Sequence, residues 1–134
     1  MGHQSPQDKF EEGLSRVVDA DPRYRMDAYL FIYQALDYTQ AMLERGGHVS
    51  GKELLEGIRK LNLQEFGLMA NTVLESWGVK TTDDFGEIVF NLVENGLLKK
   101  TDQDTRREFK NVYSFDEAFD QSFNIAADPE SGES

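Results

Sequence analysis

The sequence contains no cysteine and only two histidines among its 134 residues. The absence of cysteine excludes disulfides, thiol catalysis and cysteine-ligated zinc, and it is typical of a cytoplasmic protein. With His3 and His48 as the sole imidazoles, a zinc site would need carboxylates for most of its ligands, which is unusual. We therefore predict no metal site, no cofactor and no catalytic residue.

Long apolar segments and nucleotide-binding motifs are also missing. No uninterrupted apolar run approaches the roughly 18 residues that a membrane-spanning helix needs, and the polar first residues do not resemble a signal peptide. The sequence has no P-loop, no dinucleotide-binding glycine pattern, no G-x-S-x-G and no H-E-x-x-H. A hydrolase that uses two carboxylates stays open, because 25 acidic residues always permit some pair.

Positive charge is scarce relative to negative charge. The chain has 14 Lys and Arg against 25 Asp and Glu, which gives a net charge of −11 at pH 7. Much of this excess lies in residues 116–134, which contain no Lys or Arg. Because an acidic excess repels phosphate backbones and anionic membranes, we predict that duplex DNA and membranes are not partners. Its simplest role is solubility.

The composition predicts one folded domain followed by a short tail. One Trp, five Tyr and nine Phe, with a hydrophobic fraction of 39%, can fill a core. After residue 125 the chain consists of small, polar and acidic residues and proline, which bury too little apolar surface to fold. We predict a single compact helical domain over residues 1–125 and a disordered acidic tail over residues 126–134.

Helix signals recur along the chain and predict a mainly α fold with five or six helices. The clearest start is Ser50 with Glu53, which form a capping box. Capping residues that precede a proline or an acidic first turn mark the other starts at Ser5–Pro6, Asp21–Pro22 and Thr81 or Thr82. Glycines mark the predicted helix ends at Gly46–Gly47 and Gly78, and Phe66–Gly67 marks a break or kink.

Two apolar stripes at helical spacing mark faces that we expect to be buried. The first consists of Met69, Ala70, Val73, Leu74 and Trp77. The second consists of Phe85, Ile88, Val89, Leu92 and Val93. A last short helix is predicted around residues 116–123.

The residues after the second stripe predict a β-hairpin. Asn95–Gly96 can end the helix, Leu97 begins a strand, residues 102–104 form a turn, and Arg106 to Phe115 return. A helix followed by a hairpin over residues 97–115 resembles the second half of a winged helix. The predicted fold is therefore mainly α, with a short C-terminal hairpin arranged like a wing.

This hairpin would carry the one basic cluster of the sequence, which consists of Lys99, Lys100, Arg106, Arg107 and Lys110. On a winged helix such residues can lie along a phosphate backbone. Asp102, Asp104 and Glu108 are interleaved with them, so ion pairs between two exposed strands are the alternative. The preceding helix presents acidic residues, which have the wrong sign for a DNA groove.

Two further residues are candidates for binding. His48 stands just before a predicted helix start and beside a diglycine, where it could act as an acid, a base or a metal ligand. A loop histidine that bonds the backbone is the simpler interpretation, because the helix dipole opposes a protonated imidazole. Phe90 is a candidate anchor for a protein partner, as is Tyr33, although both could pack against a neighbouring helix.

Several segments resemble a family of short bacterial proteins. They include residues 21–24 with 28–29, residues 48–59, Glu65–Gly67, Trp77–Val79, residues 84–90 and residues 92–98. The family is known mainly as a planctomycete and verrucomicrobial family of conserved hypothetical proteins, and the resemblance covers about residues 10–120. It implies a compact bacterial domain and carries over no activity and no catalytic residue.

These observations predict a small cytoplasmic protein-interaction module rather than an enzyme. The alternative is a winged-helix nucleic-acid-binding protein that uses the basic hairpin 97–115. A carboxylate-based enzyme is the third option, which would need a concave pocket holding acids with raised pKa values. The protein partner and the oligomeric state are not predicted.

Overall fold

The computed structural model describes residues 5–99 and 105–120, and these residues are helical or irregular with no β-strand among them. The helices are α1 (Pro6–Ala20), α2 (Met26–Leu43), α3 (Gly51–Phe66), α4 (Ala70–Ser76), α5 (Thr82–Glu94) and α6 (Thr105–Glu108). A 3-10 turn (Gly67–Met69) joins α3 to α4, and a π-helical turn (Asp116–Asp120) follows α6.

Local capping explains where α1 and α3 begin. The Ser5 hydroxyl accepts a hydrogen bond from the Asp8 amide at 3.1 Å. The Ser50 hydroxyl accepts from the Glu53 amide at 3.1 Å, and the Glu53 carboxylate accepts from the Ser50 amide at 2.9 Å. Each bond joins residues within one turn, so the sequence alone predicts both starts correctly.

The start predicted for the second helix at Asp21–Pro22 is wrong. Helix α2 begins at Met26, and Asp21 instead follows the end of α1. The Asp21 carboxylate accepts two hydrogen bonds from the Arg23 guanidinium, both at 2.8 Å, so it does not cap a helix. The Arg25 amide donates to the Trp77 carbonyl at 3.1 Å, which joins the end of this loop to the end of α4.

Helix α2 lies at the centre of the core and packs against α1, α3 and α5. Its buried face includes Ile32, Ala35 and Thr39. At the crossing with α3, a Cβ atom added to Gly57 would overlap the Thr39 hydroxyl. The two helices therefore approach closely enough that the α3 backbone contacts the Thr39 side chain directly.

The apolar stripe predicted after Thr81 is confirmed in α5. Phe85, Ile88, Val89 and Leu92 are buried, and Val93 is half-buried against the core. Helix α5 ends just before Gly96, whose φ of +72° suits glycine. The first half of the expected helix-then-hairpin arrangement is therefore present.

The β-hairpin predicted for residues 97–115, and the winged-helix arrangement with it, is wrong for the described part of this segment. The amides of Leu97 and Leu98 both donate to the Leu92 carbonyl, at 2.8 and 3.3 Å. The Leu97 carbonyl accepts from the Tyr33 hydroxyl at 2.6 Å. These bonds use the backbone groups that a first strand would need for pairing.

The returning half of the predicted hairpin crosses the beginnings of α3 and α5 instead. Phe109 is fully buried, and its side chain lies against Gly86 of α5, where a Cβ atom would meet it. The Asn111 amide donates to the Asp83 carboxylate at 2.7 Å, and the Val112 amide donates to the Thr82 hydroxyl at 3.0 Å. Because these amides bind side chains of α5, they are not available to a strand ladder.

Some predictions concern residues that lie outside the described part of the chain. They are the hairpin tip at residues 102–104, the end of the helix predicted around residues 116–123, and the disordered tail predicted for residues 126–134. The described residues around them share one hydrophobic core.

Candidate functional site

The residues predicted to bind a partner do not form one site. His48 is exposed in the α2–α3 loop, where its carbonyl accepts a 3.5 Å hydrogen bond from the Arg45 guanidinium. Lys99 and Arg107 are exposed, and Phe90 is half-buried. Lys100 and the Arg106 side chain lie outside the described residues. The hairpin that would have aligned the basic residues is absent from the described chain.

Tyr33, the other candidate anchor, is part of the packing. Its ring meets Phe10 edge to face, with centroids 5.1 Å apart, and its hydroxyl donates to the Leu97 carbonyl. Burial raises the pKa of Tyr33 to about 12. The packing interpretation therefore holds for this residue.

A polar network joins the α1–α2 loop to α5. The Asp21 carboxylate accepts from Arg23 and, at 2.8 Å, from the Asn91 side-chain amide. The same amide lies 3.1 Å from the Tyr29 hydroxyl. The hydrogen bonds from Arg23 lower the pKa of Asp21 from 3.8 to about 2. Asp21 is therefore an ionised acceptor at neutral pH, not a general acid.

The acidic residues at the start of α5 accept a second set of hydrogen bonds at this junction. Asp84 accepts hydrogen bonds from the Tyr24 hydroxyl at 2.5 Å and from the amides of Lys80 and Thr81 at 2.8 and 3.1 Å. Burial and the bond to Asp84 raise the pKa of Tyr24. Asp83 accepts from the Asn111 amide. These carboxylates bond the start of α5 to the neighbouring loops, with Asp84 half-buried and Asp83 exposed.

The chemistry of the carboxyl groups does not favour the carboxylate-based enzyme. The pKa shifts of Asp21, Glu53 and Glu56 are all downward, and each is caused mainly by hydrogen bonding. Within the described residues, no group of three or more His, Asp or Glu side chains could hold one metal ion. Each helix of the described chain is too short or too polar to cross a bilayer.

The most unusual surface feature is the 3-10 turn between α3 and α4. Leu68 is 64% exposed and Met69 is 55% exposed, although both are large apolar residues. The other exposed large apolar residues in the described chain, Leu30 and Val112, are less exposed and are far apart in sequence. Two adjacent exposed apolar side chains on a defined turn form a candidate contact surface.

The exposure of Met69 corrects the sequence prediction, which placed it on a buried stripe. Gly67 has a φ of +52° and stops α3, and the next three residues form a 3-10 turn before α4 begins. This change of geometry rotates Met69 away from the face that buries Ala70 and Leu74. The helical spacing is therefore kept only from Ala70 onward.

A cluster of aromatic side chains begins at Phe66, the residue directly before the turn. Phe66 and Trp77 are half-buried and meet edge to face, with ring centroids 5.9 Å apart. Phe31 of α2 contacts both, with centroids 6.4 Å from Phe66 and 5.5 Å from Trp77. We call Phe66, Leu68, Met69 and Trp77 together the turn surface.

A buried amide holds the two ends of the turn together. Asn62 of α3 is fully buried, and its side-chain nitrogen donates to the Ala70 carbonyl at 3.3 Å. The side-chain oxygen of Asn62 finds no partner among the described residues. This bond links the start of α4 to α3 across the turn that carries Leu68 and Met69.

The residues around the turn surface are acidic. Glu65 and Glu75 are exposed on α3 and α4. Asp116, exposed on the π-helical turn, accepts a 3.2 Å hydrogen bond from the Asn71 side chain of α4. Glu117 is exposed next to it. The apolar centre therefore has carboxylates on several sides.

Comparison of the chain with known proteins finds no matching family model, no similar curated protein and no similar solved structure. The bacterial family resemblance therefore stays a prediction. The turn surface itself was missed by sequence reasoning. Its one local signal was the Gly67 break directly before two large apolar residues.

Proposed function

We propose that this protein is a protein–protein interaction module and that the turn surface contacts the partner. The observation that carries the proposal is the exposure of Leu68 and Met69 side by side on a fixed turn. Apolar side chains exposed in this way gain free energy when a partner removes them from water.

The surroundings of the turn make it suitable for recognition. Phe66, the residue before the turn, is half-buried and packs against Phe31 and Trp77, so one end of the turn is attached to the core. The hydrogen bond from Asn62 to Ala70 restricts the turn further. A surface that is already ordered loses little conformational entropy on binding.

The nucleic-acid alternative is not carried forward, because the described chain lacks the hairpin on which it depended. The carboxylate-based enzyme is likewise not favoured. Asp21 has a pKa lowered to about 2 and accepts hydrogen bonds from Arg23 and Asn91, so it is not a carboxyl group with a raised pKa.

The proposal is tested by quantitative affinity capture from the native host with three forms of the full chain. These are the wild type, Leu68→Asp on the turn surface, and Leu30→Asp on the face of α2 opposite the core. Both leucines are exposed, so both variants should keep the far-ultraviolet spectrum and the unfolding midpoint of the wild type.

We expect a partner that wild type and Leu30→Asp capture equally and that Leu68→Asp loses. The captured partner must then form a complex with the purified wild-type chain in a sizing experiment. Identical capture profiles for wild type and Leu68→Asp would show that the turn surface is not an interaction site.

A further inference from the structure

We infer that the turn surface takes a basic amphipathic segment of a partner protein, with large apolar side chains on one side and Lys or Arg on the other. This inference rests on the proposed function and adds the chemistry of the partner. It is carried by the arrangement of charge around the exposed apolar residues.

The charge around the turn surface has one sign along two stretches of chain. From Leu61 to Val79 the sequence contains Glu65 and Glu75 and no Lys or Arg. From Asn111 onward it again contains acids and no bases. The bond between Asn71 and Asp116 brings these two stretches together at α4.

The nearest bases in the chain lie at the edges of this region. The Arg25 amide bonds the Trp77 carbonyl, which places Arg25 at the Trp77 end of the turn surface. Lys60 is six residues before Phe66 on α3, about 9 Å along the helix axis. Lys80, also exposed, lies three residues after Trp77. In the sequence, Glu65 lies between Lys60 and the turn, and Glu75 lies between the turn and Lys80. The centre of the region is therefore apolar, the carboxylates are the charges nearest to it along the chain, and the bases lie at its ends.

The pattern of exposure along α4 extends this surface in one direction. Thr72 and Glu75 lie three residues apart on α4 and are both exposed, as is Leu68 on the turn that precedes the helix. A partner segment that covers Leu68 and continues along α4 therefore meets an apolar residue first and a carboxylate at the end. A Lys or Arg about two helical turns from an apolar anchor matches this separation.

Other occupants fit this charge less well. A second copy of the chain would bring the same acidic border against itself, at a net charge of −11 for each copy. Nucleic acids and anionic lipids would meet the same repulsion. Charge complementarity therefore selects a basic protein segment.

The test uses two synthetic amphipathic peptides of about 18 residues, which is five helical turns. Both carry Leu on one face, and the polar face carries Lys in one peptide and Glu in the other. Binding to the full chain is followed by fluorescence anisotropy at about 50 mM and about 300 mM salt, which changes the screening of exposed charges.

We expect the Lys peptide to bind and the Glu peptide to bind at least about tenfold more weakly. Leu68→Asp should weaken binding of the Lys peptide at least about tenfold, while Leu30→Asp should leave it unchanged. The double variant Glu65→Gln with Glu75→Gln should weaken it about threefold at low salt and less at high salt.

Each contrary outcome overturns the inference in a different way. Equal binding of both peptides that still requires Leu68 would retain the turn surface and reject the basic partner. Binding of the Lys peptide that survives Leu68→Asp would mean general adhesion to an acidic protein. Failure of the proposed function is seen separately, as unchanged host capture by Leu68→Asp.

Two further outcomes would identify another occupant and would also overturn the inference. A dimer in sedimentation that Leu68→Asp dissociates would make a second copy the partner. Nuclear Overhauser contacts from the Met69 methyl group to Phe123 or Ile125 in the free full chain would show that the chain covers its own turn surface.

Discussion

The Thr39 side chain of α2 lies where a side chain on Gly57 of α3 would begin. The Thr39 hydroxyl donates to the Ala35 carbonyl at 2.7 Å, so it is held in place within α2. The glycine therefore sets the distance between the two central helices of the core.

Gly57→Ala should destabilise the protein by about 1–3 kcal/mol, because the added methyl group overpacks the helix crossing. The better helix propensity of alanine, about 1 kcal/mol, offsets only part of this cost. Urea denaturation provides the measurement. Gly46→Ala is the matched control, because a Cβ there meets no atom within 4 Å, and it should change the free energy of unfolding by less than about 0.5 kcal/mol.

The same interaction predicts a compensating pair. Adding Thr39→Ala to Gly57→Ala removes the hydroxyl that the new methyl group meets, and the double variant should recover part of the lost stability. Strictly additive losses in the double-mutant cycle would show that Thr39 is not the group that excludes a side chain at position 57.

Phe109→Ala should destabilise the protein by about 3–5 kcal/mol, because Phe109 is fully buried and its removal leaves a large cavity between α3 and α5. Val112→Ala, three residues later and 39% exposed, should have little effect. Thermal unfolding distinguishes the two. Similar small effects of both variants would argue that residues 108–112 do not cross α5 as described.

The stability that Asp21 contributes should depend on pH in the acidic range. Its pKa is lowered in the folded protein, so the contribution is complete above the unfolded value of 3.8 and is lost as pH falls toward about 2. We expect about 1 kcal/mol, because Arg23 is more than half exposed and solvent screens the pair. The difference in unfolding free energy between wild type and Asp21→Asn should therefore shrink from pH 5 to about pH 2. A difference that stays constant over this range would contradict the assignment.

Duplex DNA should not bind with useful affinity at about 150 mM salt. The net charge of −11 opposes approach, and the described chain has no hairpin to align Lys99 with Arg107. A mobility-shift titration with mixed-sequence duplex measures this directly. Submicromolar binding that disappears in the double variant Lys99→Ala with Arg107→Ala would contradict the prediction.

The sequence predicts those features of the candidate site that depend on neighbouring residues, and it does not predict those that depend on contacts between distant residues. Gly67 ending α3 was predicted, since a glycine break needs no distant partner. The outward position of Met69 was not, because it depends on the 3-10 turn and on the bond between Asn62 and Ala70. The acidic border could not be predicted either, since it depends on the hydrogen bond between Asn71 and Asp116, which are 45 residues apart in sequence.

The sequence by itself determined the helix starts at Ser5 and Ser50 and the buried face of α5. Capping bonds and the helical period act within one or two turns, so their signals are complete in a short stretch of chain. Only the tertiary structure decided the loop at Asp21 and the path of residues 97–115. There, Asp21 meets Asn91, Leu97 meets Tyr33, and Asn111 meets Asp83, and these partners override the local preference for a cap or a strand.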